Sequence, residues 1–226
     1  MELPWNSPGF VNVYFIEDKD GYVMIDCGVN GIEYQELLES KMKSFGLSYQ
    51  NVKLLIGTHM HSDHIGLSST LREKDIPFAL YKNSVDFIDS YNDWSIRFKK
   101  LKEFAKREGA PESFLNDLDE MVTPIYAGKI SKPDVLLDEG NIKNVNRNIE
   151  IIFTPGHDKT EISILDNPSQ ILFSGDHILP KITPFIPSDD SGEDMLEQYT
   201  SSLDKIYNLE QKIIAPGHGT IIEKPY

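Results

Sequence analysis

Cysteine is nearly missing from this chain: Cys27 is the only one in 226 residues. A single thiol forms neither an internal disulfide nor a thiolate metal cluster, and its scarcity suits a reducing compartment. Long apolar runs are missing too. The longest are short stretches such as Val52–Ile56, far below the roughly eighteen residues that a membrane span needs. The start, Met1-Glu2-Leu3-Pro4-Trp5-Asn6, has neither a basic nor an apolar stretch, so no signal peptide is expected. Positive charge is scarce: 22 Lys and Arg face 36 Asp and Glu, for a formal net charge of −14. That balance argues against sequence-independent binding to phosphate backbones, which needs clustered cations. There is no low-complexity tract and no internal repeat. What these absences leave is a cytoplasmic protein of one domain, residues 1–226, with neither nucleic acid nor membrane as partner.

What is present is a mixture of strand and helix signals. Apolar runs bounded by turn residues predict strands at 10–16, 22–25, 52–56, 149–153, 162–165, 171–173 and 212–215. Asp18-Lys19-Asp20-Gly21 reads as a hairpin turn. Leu37, Leu38, Met42 and Phe45 share one face of a predicted helix at 32–45, stopped by Gly46, and a further helix is expected at 194–207. The class is therefore α/β or α+β. Residues 84–132 differ, because they carry no strand signal. Phe87, Tyr91, Trp94, Phe98, Leu101 and Ala105 predict one long amphipathic helix, stopped at Gly109-Ala110-Pro111. A second helix at 111–122 carries Phe114, Leu115, Leu118 and Met121 on one side. This helical hairpin is an insertion in the α/β body. Its aromatic stripe reads first as core packing and second as a lid over a substrate pocket.

Four predicted strands run straight into potential metal ligands. The first leads to Thr58-His59-Met60-His61-Ser62-Asp63-His64 and the others to Pro155-Gly156-His157-Asp158, Gly175-Asp176-His177 and Pro216-Gly217-His218. All 6 histidines of the chain lie in these loops. Loops at strand ends are where a rigid sheet positions functional side chains. Imidazole and carboxylate suit a borderline divalent ion such as Zn²⁺. Neighbouring side chains in a tight loop point apart, so His59, His61, Asp63 and His64 cannot all converge on one ion. That points to two metals, with Asp176 able to bridge them.

These motifs, in this order, resemble those of the metallo-β-lactamase superfamily of hydrolases over nearly the whole chain. The resemblance rests on Asp26 in Ile25-Asp26-Cys27-Gly28, the His59-x-His61-x-Asp63-His64 signature, His157, Asp176 and His218. It implies a four-layer αβ/βα sandwich with a dinuclear centre on one edge. By position, His59, His61 and His157 would hold the first metal and Asp63, His64 and His218 the second. Asp176 would bridge, and Asp26 would fix a ligand histidine from behind. Two Zn²⁺ are expected, with iron or manganese as alternatives. Class B1 β-lactamases place cysteine where this chain has Asp176, and class B3 enzymes lack the bridging aspartate. Flavodiiron proteins carry glutamate where this chain has His61, and no residues remain here for their flavin domain or for the glutathione-gripping domain of glyoxalase II. The glyoxalase II-like and lactonase-like hydrolases remain.

The implied reaction is cleavage of an ester, thioester or lactone carbonyl in a small-molecule substrate. Water shared by the metals would be ionised near pH 7, Asp63 would pass a proton to the leaving group and Asp176 would hold the metal pair. A phosphodiesterase, or a metal-holding binding protein without turnover, are the alternatives. His177 is expected to pack beside the site rather than to react, and Cys27 to be apolar filler. The run Arg97, Lys99, Lys100, Lys102, Lys106, Arg107 reads as a solvated face that could also draw a carboxylate. Trp5 and Phe10 could wall the pocket or simply pack.

Overall fold

The computed structural model describes residues 1–6, 8–121, 128–143, 145–187, 192–223 and 225; the side chains at 94, 97, 98 and 117–121 are outside the description. One sheet is built from β1 (Tyr14–Asp18), β2 (Gly21–Ile25), β3 (Val52–Ile56), β4 (Phe78–Tyr81) and β5 (Val135–Leu137), in that order. β1 and β2 form the expected antiparallel hairpin, and the other pairings are parallel. The second sheet comprises β6 (Gly140–Asn141), β7 (Ile149–Phe153), β8 (Ile162–Asp166), β9 (Ile171–Gly175), β10 (Ile213–Pro216) and β11 (Ile222–Glu223), ordered 11-10-9-8-7-6. Only β9 and β10 pair in parallel there.

Side chains alternate between the faces of a strand, so one strand feeds two layers. Val23, Ile25, Leu54 and Ile56 of the first sheet meet Ile149, Ile151, Ile162, Ile164, Phe173 and Ala215 of the second in one apolar cluster between the sheets. The intervening residues Met24 and Leu55 face the other way, against Leu38 and Met42 of α1 (Ile32–Ser44) and Leu71 of α3 (Ser68–Arg72). On the far side Ile152, Leu165, Leu172 and Ile214 cover Ile206 of α7 (Met195–Tyr207). The order is thus helix, sheet, sheet, helix: the αβ/βα sandwich. Leu38 and Met42 are one turn apart and both buried, each stabilising by roughly 1.5–3 kcal/mol. Gly46, at φ +72, takes the left-handed conformation that ends α1. The α7 start is capped by Asp194, whose side chain accepts from the Glu197 N–H at 2.9 Å.

The expected long helix is two. A 3₁₀ turn (Lys82–Asp86) and α4 (Ile88–Asn92) precede α5 (Trp94–Arg107), and α6 (Glu112–Met121) follows. The break is at Asp93, which leaves the helical region (ψ 91) and accepts from the N–H groups of Ser95 and Ile96 as the α5 cap. A capping aspartate outcompetes helix continuation. The expected first strand begins four residues later than residue 10, because residues 10–13 form an arm to β10: the Asn12 N–H donates to Gly217 O at 2.7 Å. Strands β4, β5, β6 and β11 lack an expectation. Val122 and the Trp94, Phe98, Leu118 and Met121 side chains lie outside the described residues. Among the described residues no helix is long and apolar enough to cross a membrane.

Candidate metal centre

The ends of four strands converge on one edge of the sandwich. Beyond β3 lie His59, His61 and, on α2 (Ser62–Ile65), Asp63 and His64. The β7–β8 loop carries His157, β9 leads into Asp176, and β10 leads into His218. Their donor atoms form three overlapping groups: His59, His61 and His157; His59, His64 and Asp176; Asp63, His64 and His218. Within each group the atoms lie within 4.8 Å of one another. Asp176 stands between the groups, with Oδ1 3.4 Å from His64 Nε2 and Oδ2 3.3 Å from His218 Nε2 and 3.7 Å from His157 Nε2. His61 and Asp63 are partly exposed and the other five are buried.

Each of the four buried imidazoles in these groups is held from behind by an oxygen. His64 Nδ1 donates to Asp26 Oδ2 at 2.7 Å, His157 Nδ1 to Phe185 O at 2.7 Å, and His218 Nδ1 to Phe10 O at 2.6 Å. The Thr58 hydroxyl donates to Asp26 Oδ2 at 2.9 Å, which leaves its oxygen to accept from His59 Nδ1 at 3.0 Å. A nitrogen donating to a carboxylate or carbonyl leaves the other ring nitrogen with a lone pair. The four Nε2 atoms therefore turn inward, each a metal donor once any proton it carries is lost. His59 Nε2 and Asp176 Oδ1 are buried without a hydrogen-bond partner, and His64 Nε2 faces His218 Nε2 at 3.3 Å. Lone pairs gathered at such distances repel unless a cation or a proton lies between them, so the donor set fits divalent metal ions.

The titration behaviour follows from the same crowding. Burial, then the neighbouring His64 and His61, holds His59 well below the usual imidazole range. Burial also lowers His157, to about 4. Burial opposes charge on His218, but hydrogen bonds to Asp176 and Asp63 win and push it up to about 9. Asp63 is pulled to about 2, since the charge on His64 and the His218 bond outweigh its desolvation.

The backbone supporting these side chains is unusual. Asp26 sits at φ 58, a left-handed conformation uncommon outside glycine. Its carboxylate also accepts from the Thr58 N–H at 2.8 Å. At Gly217 a Cβ would lie 2.4 Å from Asp176 Oδ1 and 2.7 Å from His64 Cε1, so any side chain there intrudes on the donor cluster. His177 is fully buried, its ring edge-on to Tyr199 at 5.0 Å, and burial lowers it to about 4. Cys27 is buried in the helix-side core, where burial pushes its thiol up.

A cavity of about 220 Å³ opens beside His61 and His157. Met60, Phe87, Tyr91, Pro187 and Met195 give it apolar walls, and Ser90, Asp158, Lys159 and Thr160 a polar side. Lys159 Nζ lies 3.4 Å from Glu193. Phe87 and Tyr91 both belong to the helix-side core and line this cavity, so these two residues of the aromatic stripe pack and line at once. Trp5, Phe10 and the basic run of α5 are not among the described lining residues, and Arg97 lies outside the described side chains. Sequence reasoning missed Thr58, the Phe185 and Phe10 carbonyls, and Glu161. Glu161 is fully buried and Oε1 accepts from the Asp176 N–H at 2.9 Å. The readable signal for Glu161 was an acid heading the apolar stretch Ile162-Ser163-Ile164-Leu165.

The family model for the metallo-β-lactamase superfamily matches residues 6–218. The chain is 36% identical over 212 residues to the atrochrysone carboxyl ACP thioesterase of Aspergillus fumigatus, covering 94% of this chain and 51% of that protein. It spans 57% and 60% of the length of two other curated relatives, so several relatives are considerably longer. Among solved structures, the metallo-β-lactamase family protein TTHA1429 from Thermus thermophilus matches with a TM-score of 0.82 at 22% identity, over 99% of this chain and 73% of that one. TTHA1623, crystallised in a di-iron-bound form, matches at 0.66 and 21%, over 99% and 94%. At such identities the structural matches speak for the fold.

Proposed function

The chain belongs to the metallo-β-lactamase superfamily, and from that premise we propose that it hydrolyses a neutral ester, thioester or lactone carbonyl with two divalent metal ions, zinc before iron or manganese. The observation that carries the metal pair is Asp176, whose two oxygens reach toward both donor groups. Two such ions supply a Lewis acid for a carbonyl oxygen and lower the pKa of water toward about 7. His59, His61 and His157 would hold one ion, Asp63, His64 and His218 the other, and Asp176 both. The imidazole-rich set favours zinc, and the di-iron form of TTHA1623 is the reason to keep iron as the alternative.

The apolar walls of Met60, Phe87, Tyr91, Pro187 and Met195 would take the acyl group and exclude water from it. At about 220 Å³ the cavity suits a short acyl or a single aromatic ring. Asp63, partly exposed and held by His218 at 3.4 Å, would pass a proton to the leaving group. A phosphodiester would bring its charge to a protein of net −14, and Lys159, the one Lys or Arg among the described lining residues, is already 3.4 Å from Glu193. The likeness to a protein named as a thioesterase supports the thioester within this group. The test is a panel of short acyl thioesters, esters and lactones beside bis(p-nitrophenyl) phosphate, on protein carrying measured metal. A carbonyl substrate should be turned over fastest, with close to two metal equivalents per chain. Faster turnover of the phosphodiester than of every carbonyl compound overturns the reaction class. One equivalent, unchanged by His218→Ala, overturns the metal pair.

A further inference from the structure

We infer that Glu161 is a positioning residue: its carboxyl oxygen holds the main chain of Asp176 in place from beneath, so that the carboxylate between the two donor groups is set by the same loop that carries His157. The inference rests on the metal-binding reading above and adds a residue to it.

The geometry carries it. Glu161 Oε1 accepts from the Asp176 N–H at 2.9 Å, and both residues are buried. Asp176 follows Gly175, at φ +53, where a turn after β9 redirects the chain. The space under that turn is full: a Cβ on Gly175 would lie 3.0 Å from Thr58 Cβ and 3.2 Å from Glu161 Oε1. Glu161 itself cannot drift. Its carbonyl accepts from the Thr154 N–H at 3.0 Å and its N–H donates to Asp158 O at 3.3 Å. Asp158 Oδ1 in turn accepts from the N–H and hydroxyl of Thr160, both at 2.6 Å. The loop from Thr154 to Glu161 is thus closed upon itself and carries His157 at its tip.

A purely structural explanation fits poorly. Glu161 Oε2 is buried with no hydrogen-bond partner, and burying a carboxyl with half of its hydrogen-bonding capacity unused is unfavourable. An apolar side chain would serve the core better. The gain from keeping the acid must lie in the one bond it makes, and that bond is to Asp176. Such supporting bonds typically carry 10–100-fold in metal affinity.

The decisive comparison is Glu161→Gln against Glu161→Asp. Gln keeps an acceptor oxygen at the same reach without the acid, whereas Asp keeps the acid and withdraws the oxygen by one methylene. Zinc dissociation constants are measured by chelator competition, and the visible spectrum of the Co²⁺-substituted protein reports donor geometry without any assay of turnover. Gln should bind within about threefold of the parent with its spectrum unchanged, and Asp should bind about 10–100-fold more weakly with an altered one. Ile164→Ala, a cavity in the core on β8, the strand that Glu161 leads into, sets the loss of affinity that destabilisation alone produces. Parental affinity in Glu161→Asp, a loss in Glu161→Gln as large as in Asp, or an equal loss in Ile164→Ala each overturns the inference. A parent protein that binds no zinc or cobalt sinks the metal reading instead, and the two failures are told apart by that first measurement.

Discussion

Asp26→Asn is the substitution that tests the site most sharply, because it removes a charge while keeping shape and backbone. Asn is among the few residues that tolerate φ near +58, so the turn after β2 should survive. The chemistry does not. The Asp26 carboxylate accepts from His64 Nδ1 at 2.7 Å, from the Thr58 N–H at 2.8 Å and from the Thr58 hydroxyl at 2.9 Å. A carboxamide has one acceptor oxygen and one NH₂. If the oxygen stays with the Thr58 N–H, the NH₂ faces His64 Nδ1. That nitrogen must then give up its proton, the imidazole carries it on Nε2, and the lone pair aimed at Asp176 and His218 is gone. If the amide turns over instead, two donors meet at Thr58. The first arrangement misdirects the His64 ring and the second loses a buried hydrogen bond, a cost of about 1–3 kcal/mol for the latter. Expressed at the metal, that is roughly 5- to 150-fold in affinity. Zinc competition at pH 7.5 measures it, and nitrogen-15 spectra of the histidine rings report which His64 nitrogen is protonated. A metal held by Asp63, His64 and His218 should be the one weakened. Two zinc equivalents at parental affinity, with His64 still protonated at Nδ1 in the metal-free variant, would refute the reasoning.

The remaining tests concern protons, space and the substrate. His218 in the metal-free protein lies near 9, and on His64 burial is outweighed by Asp176, Asp26 and Asp63, which raise it as well, so zinc must displace protons at neutral pH; affinity should rise at least about tenfold per pH unit from 6 to 9, and a flat profile refutes this. The sign for stability is opposite: a raised folded pKa contributes fully below about 6.5 and is lost as pH climbs through about 9, so the metal-free protein's melting temperature should carry a falling contribution over that window that His218→Gln abolishes. Gly217→Ala puts a methyl 2.4 Å from Asp176 Oδ1 and should lose metal while the protein still folds; full metal content in that variant would show that the cluster has more room than its geometry allows. Met195→Ala opens the cavity beside His157 and should raise KM for short acyl substrates several-fold with metal content unchanged, whereas loss of metal would make Met195 a support of the centre.

Much of this was legible in the sequence, for a physical reason. Strands buried on both faces read as apolar runs, so Val52–Ile56 and Ile149–Phe153 announce themselves, and a polar loop at each end stands out sharply. Short strands do not: β6 and β11 have two residues each, and no periodicity exists in two residues. The helix break at Asp93 was readable in principle from an aspartate two residues before a serine, but the aromatic spacing runs through it and hides the cap. Supports made by main-chain carbonyls are illegible. Phe185 and Phe10 hold His157 and His218 through atoms every residue possesses, so no side chain marks them.

That last point says how the centre is held as well as how it is read. Four imidazoles are oriented by Asp26, Thr58 and two carbonyls, and these come from four separate stretches of the chain. The arm at residues 10–13 is the clearest case. Phe10 O accepts from His218 Nδ1, and Asn12 Nδ2 donates to Pro216 O at 2.9 Å and Gly219 O at 3.0 Å, gripping the loop on both sides of His218. Across the site, the Ile162 N–H donates to Thr58 O at 2.9 Å and ties the second sheet to the His59 loop of the first. These four imidazoles therefore depend on contacts between distant segments, so their inward Nε2 atoms are gathered only once both sheets have packed. A preformed cluster of that kind owes its repulsion to folding and loses it on binding cations, which is why metal loading and fold stability should rise together in this chain.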